Sequence, residues 1–313
     1  MSSNVPRYSV VVPVYNAAQT IGLLVDQISE FFKGESFDFA VILVNDGSTD
    51  ESWDVLRGLV LKDQRVTAIN LLQNYGQQTA LYCGFQHTTA DYVITLDDDL
   101  QNPPQEIRHL IEKASEGHDV VYGRYRHKRH SWVRVLGSLL IRQINRRIFL
   151  CPPHLFPTNF RLMRREVIER ILQYQTAYPY ITGLALMFSA NPANVWVEHR
   201  ERPGGKSNYT PFKILSLVAR ILFNYSLWPL RAVSTAGFVI SLASFLIGLG
   251  IIYIRFFRGF RVEGWAGIMV MLSFFNGVTI LILGMLGEYT ARILRQISST
   301  QAFHVKEVIG RDA

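Results

Sequence analysis

The sequence predicts an α/β domain built on a mostly parallel sheet, followed by interfacial helices and a two-helix apolar hairpin. Three observations predict it. Apolar, β-branched runs alternate with helical periods between residues 9 and 96. Two long runs nearer the C-terminus carry no charge. The charge is also divided: residues 1–120 hold 7 Lys/Arg against 17 Asp/Glu, and residues 121–313 hold 25 against 8. Over all 313 residues the chain is 49% hydrophobic and 18% charged, with net charge +7. That apolar fraction excludes a disordered chain. Two cysteines, Cys83 and Cys151, exclude a disulfide scaffold.

Ser9–Val14 (SVVVPV) reads as a buried parallel strand, with Pro13 stopping it. Ile21, Leu24, Val25, Ile28 and Phe32 then recur at a helical period within Ala18–Phe32. Phe39–Val44 is a second strand and Ser52–Leu61 a second helix. Val66–Leu71 is a third strand, Gln77–His87 a third helix and Tyr92–Leu96 a fourth strand. Strands alternating with helices imply a parallel sheet covered on both faces, with ligands beyond the carboxyl ends of its strands.

Residues 124–149 form a basic segment in which Arg124, Arg126, Lys128, Arg129, Arg134, Arg142, Arg146 and Arg147 interleave with apolar residues. It reads as an amphipathic helix lying among lipid headgroups; a solvated helix face is the alternative. The acidic half would repel nucleic acid, so no nucleic-acid partner is expected. Residues 211–231 read as a second interfacial helix. Val233–Ile254 and Trp265–Gly287 are the uncharged runs, of 22 and 23 residues. At 1.5 Å per residue each spans roughly 33 Å, enough to cross a hydrocarbon core. The linker between them makes a hairpin with both of its ends on one side. Arginines flank both ends of each run, so the positive-inside rule does not orient it. No cleavable signal precedes the first strand. The expected organisation is a domain over 1–210, an interfacial helix over 211–231, the hairpin over 232–288 and a tail over 289–313.

Three polar clusters follow predicted strands. The strongest is Asp97-Asp98-Asp99-Leu100-Gln101. Adjacent carboxylates repel one another unless solvated or neutralised by a cation. Hard oxygens suit Mg²⁺ or Mn²⁺. In a non-helical segment Asp97 and Asp99 converge while Asp98 turns aside. The second cluster, Asn45-Asp46-Gly47-Ser48-Thr49-Asp50, is a turn that leaves Asp46 to accept hydrogen bonds. The third, Pro13-Val14-Tyr15-Asn16, offers an aromatic face and an amide.

The order VVPVYN, VNDGSTD, NYGQQTALYCGF, TLDDDLQNPP resembles the family 2 glycosyltransferases of GT-A fold, and within them the membrane-anchored polyprenyl-phosphate glycosyltransferases. The resemblance continues through Asn159-Phe160-Arg161-Leu162-Met163, Arg202-Pro203-Gly204-Gly205-Lys206-Ser207-Asn208-Tyr209 and the two apolar runs. It implies a Rossmann-like catalytic domain that passes a single sugar from a nucleotide sugar, UDP-glucose being the expected type, to undecaprenyl phosphate. The product would serve cell-envelope glycan modification. By the same resemblance, Pro13, Tyr15, Asn16 and Asp46 hold the nucleoside. Asp97, Asp98, Asp99 and Gln101 meet ribose, diphosphate and sugar, with Asp97 and Asp99 on a Mg²⁺ or Mn²⁺ ion. Arg202, Lys206, Ser207 and Tyr209 meet phosphate groups. The resemblance counts Asp97, Asp99, Asn159 and Arg202 as catalytic, but Asn159 stands where many relatives carry an acid and some a small or polar residue. An amide cannot act as a base, which leaves this position a sugar contact or the mark of a different sugar.

A lipid phosphate is already ionised at neutral pH and needs no proton removed. The expected reaction is a single in-line displacement that inverts the anomeric carbon. The resemblance also implies a homo-oligomer, in the inner or plasma membrane with the catalytic domain and both termini cytoplasmic. Two other functions remain open: a processive polysaccharide synthase, whose Gln-x-x-Arg-Trp segment is not found, and a non-catalytic membrane scaffold.

Overall fold

The computed structural model describes residues 6–125, 141–174, 176, 178–200, 211–258, 264–298 and 303–310. The chain divides into two compact units, Met1–Leu215 with Gln301–Ala313, and Ser216–Thr300.

The first unit is built on an eight-stranded sheet in the order β7-β5-β6-β4-β1-β2-β3-β8. Its strands are β1 (Arg7–Val14), β2 (Asp38–Asn45), β3 (Val66–Leu71), β4 (Tyr92–Thr95), β5 (Val120–Tyr125), β6 (Arg161–Arg164), β7 (Pro192–Val197) and β8 (Val305–Ile309). β1 pairs in parallel with β2 and β4, as do β2 with β3 and β5 with β7. β6 runs antiparallel to β4 and β5. The expected mostly parallel α/β sheet is present, with one reversed strand inside it and another at its edge.

Strand alternation explains how both faces are covered. Val10, Val12 and Val14 of β1 join a core with Leu24 and Ile28 of α1 (Ile21–Glu35), Leu56 of α2 (Ser52–Lys62) and Leu110 of α4 (Ile107–Ser115). Val11 points to the other face, against α3 (Gln77–Gln86). There Gly84 lies so close that an added Cβ would sit 2.4 Å from Val11 Cγ1. That face also carries α6 (Arg165–Gln173) and α7 (Ile181–Phe188), which pack on each other. β1 does not stop at Pro13. Pro13 is buried and pairs with Val44, and the strand runs to Val14. Proline is tolerated because β4 has stopped pairing with β1 at Thr95, so no partner needs its missing N–H.

Of the basic segment 124–149, Arg124 and Tyr125 close β5 and residues 141–148 are helical (α5). Residues 126–140 lie outside the described residues. Arg124 is held between the rings of Phe156 and Trp196, 3.9 and 4.2 Å from their centroids.

Helix α8 (Pro211–Tyr225) covers most of the expected interfacial helix. The second unit contains α9 (Trp228–Arg258) and α10 (Trp265–Ser298). At 31 and 34 residues, both exceed the uncharged runs that announced them. Trp228–Ile247 and Phe274–Ala291 are the windows long and apolar enough to cross a membrane. Their large side chains, among them Phe238, Leu246, Phe274 and Ile280, are exposed.

The expected tail over 289–313 takes a different form. Residues up to Ser298 continue α10, and Val305–Ile309 forms β8, antiparallel to β3. The alternating, β-branched VKEVI covers what would otherwise be an open sheet edge.

Candidate active site

The carboxyl ends of β1, β2 and β4 place the three expected clusters together. After β2, Asp46 is buried, and its N–H donates to Val14 O at the end of β1 (2.9 Å). Its Oδ1 accepts from Tyr75 N (2.7 Å) and its Oδ2 from Gly76 N (2.9 Å). Burial raises its pKa, and those two bonds to the charged form oppose the rise. Gly47 follows at φ +64, where an added Cβ would lie 2.5 Å from Asn74 N. Only glycine permits the 72–76 loop to cross this turn so closely.

Tyr15 is 49% exposed, and its N–H donates to Asp98 Oδ2 (3.0 Å). Asn16 takes φ 53. Its N–H donates to Ser48 Oγ (3.0 Å), and its Oδ1 accepts from Thr49 N (2.8 Å). These bonds join the third cluster to the other two and leave the Tyr15 ring exposed.

The acidic run follows the end of β4 and enters a turn at Asp98–Asp99. Asp98 turns to the Tyr15 backbone, while Asp97 Oδ1 accepts from Gln77 Nε2 (2.5 Å) and Asp99 Oδ1 from Gln101 N (3.1 Å). Asp97 has its pKa pushed up from 3.8 to about 7. Burial is the largest cause, followed by the charges of Asp99 and Asp98; Gln77 and the Arg161 charge act against it. Among the described residues no three His, Cys, Asp or Glu side chains converge as a metal cage. Two carboxylates, Asp97 and Asp99, remain. That hard-oxygen pair fits Mg²⁺ or Mn²⁺, which are held by one or two carboxylates plus substrate phosphates.

Gln101 is joined to Arg200 by two hydrogen bonds. Its backbone O accepts from Arg200 N (2.8 Å) and its Nε2 donates to Arg200 O (3.2 Å). Arg202, Lys206, Ser207 and Tyr209 lie outside the described residues. Asn159 precedes β6, and its carbonyl accepts from Thr95 Oγ1. Thr95 pairs with Arg161, where the β4–β6 pairing ends, so Asn159 lies just outside the sheet at the end where Asp97 follows β4.

Sequence reasoning missed three side chains here. Gln77, at the first position of α3, orients Asp97. Tyr125, at the end of β5, is raised in pKa by burial and by Asp97 and Asp99, with a bond to Asn102 opposing. Its ring lies 4.1 Å from that of His199. Arg161 is 0% exposed; Nη1 donates to Thr182 Oγ1 (3.0 Å), while Nε and Nη2 have no partner among the described residues. Burial lowers its pKa, and Tyr122, Tyr180 and Asp97 oppose the shift. A lone arginine alternating with Phe160 and Leu162 in a strand was the available signal.

Residues 9–172 match the family described as Glycosyl transferase family 2. The undecaprenyl-phosphate 4-deoxy-4-formamido-L-arabinose transferase of Proteus mirabilis (strain HI4320) is 34% identical over 307 residues, covering 97% of this chain and 94% of that protein. The protein of the same name from Serratia proteamaculans (strain 568) is 33% identical over 312 residues, covering 98% and 95%. Among solved structures, glucosyl-3-phosphoglycerate synthase from Mycobacterium tuberculosis, in complex with Mn²⁺, UDP and phosphoglyceric acid, superposes with TM-score 0.53 at 20% identity. It covers 70% of this chain and 76% of that one, a likeness of fold. The match over more than half of the chain, and relatives alike along nearly all of it, show that this chain belongs to glycosyl transferase family 2.

Proposed function

We propose that the protein transfers one sugar from a uridine diphosphate sugar to undecaprenyl phosphate at a membrane surface, inverting the anomeric centre. The observation that carries this reading is the joining, at the carboxyl end of the sheet, of the Asp97–Asp99 run, the exposed Tyr15 and the Asp46 turn through the Tyr15 N–Asp98 and Asn16 N–Ser48 bonds. Such a cluster suits a divalent cation and a diphosphate. The Mycobacterium tuberculosis structures of the same fold hold Mn²⁺ or Mg²⁺ with UDP. When bound, the ion neutralises charge on the leaving diphosphate. In this chain Asp97 and Asp99 would hold it, Gln77 orients Asp97, and the Asp46 loop with the open Tyr15 face receives the nucleoside.

An ionised phosphate acceptor needs alignment more than a base. Asn159, at the same end of the sheet as Asp97, is therefore compatible with catalysis as a sugar contact. Arg202, Lys206, Ser207 and Tyr209 meet the phosphates, beginning two residues after the Arg200 that Gln101 holds. The relatives are named for a formamido-arabinose rather than glucose. That sugar takes precedence over the glucose expected from the motifs.

The two apolar helices anchor the enzyme in the inner membrane. Residues on both sides of them in sequence belong to the same first unit, which requires an even number of crossings. Nucleotide sugars are cytosolic, so that unit faces the cytoplasm. The deciding experiment offers undecaprenyl phosphate with UDP-4-deoxy-4-formamido-L-arabinose or UDP-glucose, with Mn²⁺ or EDTA, and reads the glycolipid by mass. A product from the first donor that disappears in EDTA is expected. No glycolipid from any UDP-sugar would overturn the reading.

A further inference from the structure

We propose that the C-terminal strand β8 positions the donor loop, fixing the path of residues 72–76 and thereby the two N–H groups that hold Asp46. The inference rests on reading the Asp46 loop as the nucleoside site. β8 pairs with β3 from Ala68↔Ile309 to Leu71↔Val305, with a register shift between Asn70 and Leu71. Pairing then continues one residue beyond the strand, where Leu72 N donates to His304 O (2.9 Å). The next residues, Gln73 and Asn74, cross Gly47, and Tyr75 and Gly76 then donate to the Asp46 carboxylate. The last backbone contact with β8 is thus three residues from the first donor to Asp46.

The strand is fastened at three places. Phe303 is buried. Glu307 accepts from Arg57 Nη2 of α2 through both oxygens (3.2 and 2.8 Å). Gly310, at φ +137, backs onto Thr67, where an added Cβ would lie 2.8 Å from Thr67 Cα. Leu72 itself is 60% exposed, so no side-chain burial fixes the start of the loop. Without β8, β3 becomes an open edge and the loop recovers conformational freedom that donor binding must remove again. The effect belongs in donor binding, because the loop carries none of the carboxylates proposed to meet the diphosphate.

The test uses the full-length enzyme in detergent with Glu307→Arg, the exchanged pair Arg57→Glu/Glu307→Arg, and a deletion of residues 301–313 assayed with and without the synthetic 301–313 peptide. Hydrogen exchange at Tyr75 and Gly76 is read beside donor KM, acceptor KM and kcat. The deletion is expected to raise donor KM about ten-fold, roughly 1.4 kcal/mol of lost binding. kcat and acceptor KM stay within about three-fold, exchange at Tyr75 and Gly76 accelerates, and the peptide restores both. Glu307→Arg gives a smaller change in the same direction, reversed in the exchanged pair; this arm stands if the deletion does not fold. Unchanged exchange at Tyr75 and Gly76 in a folded variant overturns the proposal. Asp46→Ala separates the two readings. If it raises donor KM while the β8 variants do not, the positioning role is wrong; if it leaves donor KM unchanged, the nucleoside assignment is wrong.

Discussion

Asp97→Asn should make the metal-free enzyme more stable while removing its activity. In the folded chain the Asp97 carboxyl titrates near pH 7 instead of 3.8, because it is half-buried beside Asp99 and Asp98. Between those two values the folded state holds a proton that the unfolded state has released. The carboxyl therefore costs nothing below pH 3.8, costs progressively more as pH rises toward 7, and reaches a constant penalty above it. The gap is worth at most about 4 kcal/mol. Solvent screening of a half-buried group, and a weaker bond from Gln77 to an amide, bring the expected gain from Asn to about 2 kcal/mol. For a unit of this size that is a rise in melting temperature of about 4–8 °C.

The assay is thermal unfolding in detergent and EDTA, at pH 8 and at pH 5. The variant should melt above wild type at pH 8, and the gap should narrow at pH 5. Added Mn²⁺ should raise the wild-type melting temperature and leave the variant unmoved, since only a state that binds the ion gains from it. Transfer activity should fall by more than about a hundred-fold. A variant no more stable than wild type at pH 8, or one whose advantage does not depend on pH, would refute the electrostatic reasoning.

Three further outcomes follow from the same geometry. Gly84→Ala forces α3 away from Val11 and should destabilise the fold by about 1–3 kcal/mol, read as a lower denaturant midpoint. Gly47→Ala meets both an unfavourable φ and the backbone of Asn74. Donor KM should rise about ten-fold with acceptor KM unchanged, and equal changes in both would contradict the loop assignment. Arg161→Met replaces a buried charge by an apolar chain of similar length, so unfolding stability should hold or improve. Its loss removes an arginine that opposes the rise at Asp97, so the acidic limb of the pH–rate profile should move to higher pH.

The parts of this molecule legible in its sequence are those set by local period. Val66–Leu71 coincides with β3, and between residues 9 and 96 the other predicted strands and helices differ from the observed ones by up to three residues at their ends. Asp98 does turn to the Tyr15 backbone, but Asp98 and Asp99 lie in a turn, so strand alternation is not what sets their directions. What could not be read depends on pairing between distant segments. The reversal of β6 between β4 and β5 aligns Thr95, Arg161 and Tyr122 across three strands, and no local pattern encodes that row. The pairing of β8 with β3, across more than 230 residues, is likewise invisible to local periodicity. Gln77 stood inside a quoted motif, but its role appears only when the start of α3 meets the end of β4.

The place of Asn159 just before β6 also makes an amide there physically consistent with the proposed reaction. Its carbonyl accepts from Thr95 Oγ1 at the end of β4, the strand that Asp97 follows, and the Asp97 carboxyl is already pushed up to about 7 by burial and the charges of two neighbours. A further carboxylate near this end of the sheet would add like-charge repulsion to a cluster opposed, among the described residues, by the buried Arg161 guanidinium, whose bond goes to Thr182. Where the acceptor is a hydroxyl, a base would justify that cost. Where the acceptor is a phosphate, it arrives ionised and the base has no proton to take. Extra negative charge would then repel both the acceptor and the donor diphosphate. The amide keeps a hydrogen-bonding contact for the sugar without adding that repulsion, so the departure at residue 159 and the absence of a required base have the same physical origin.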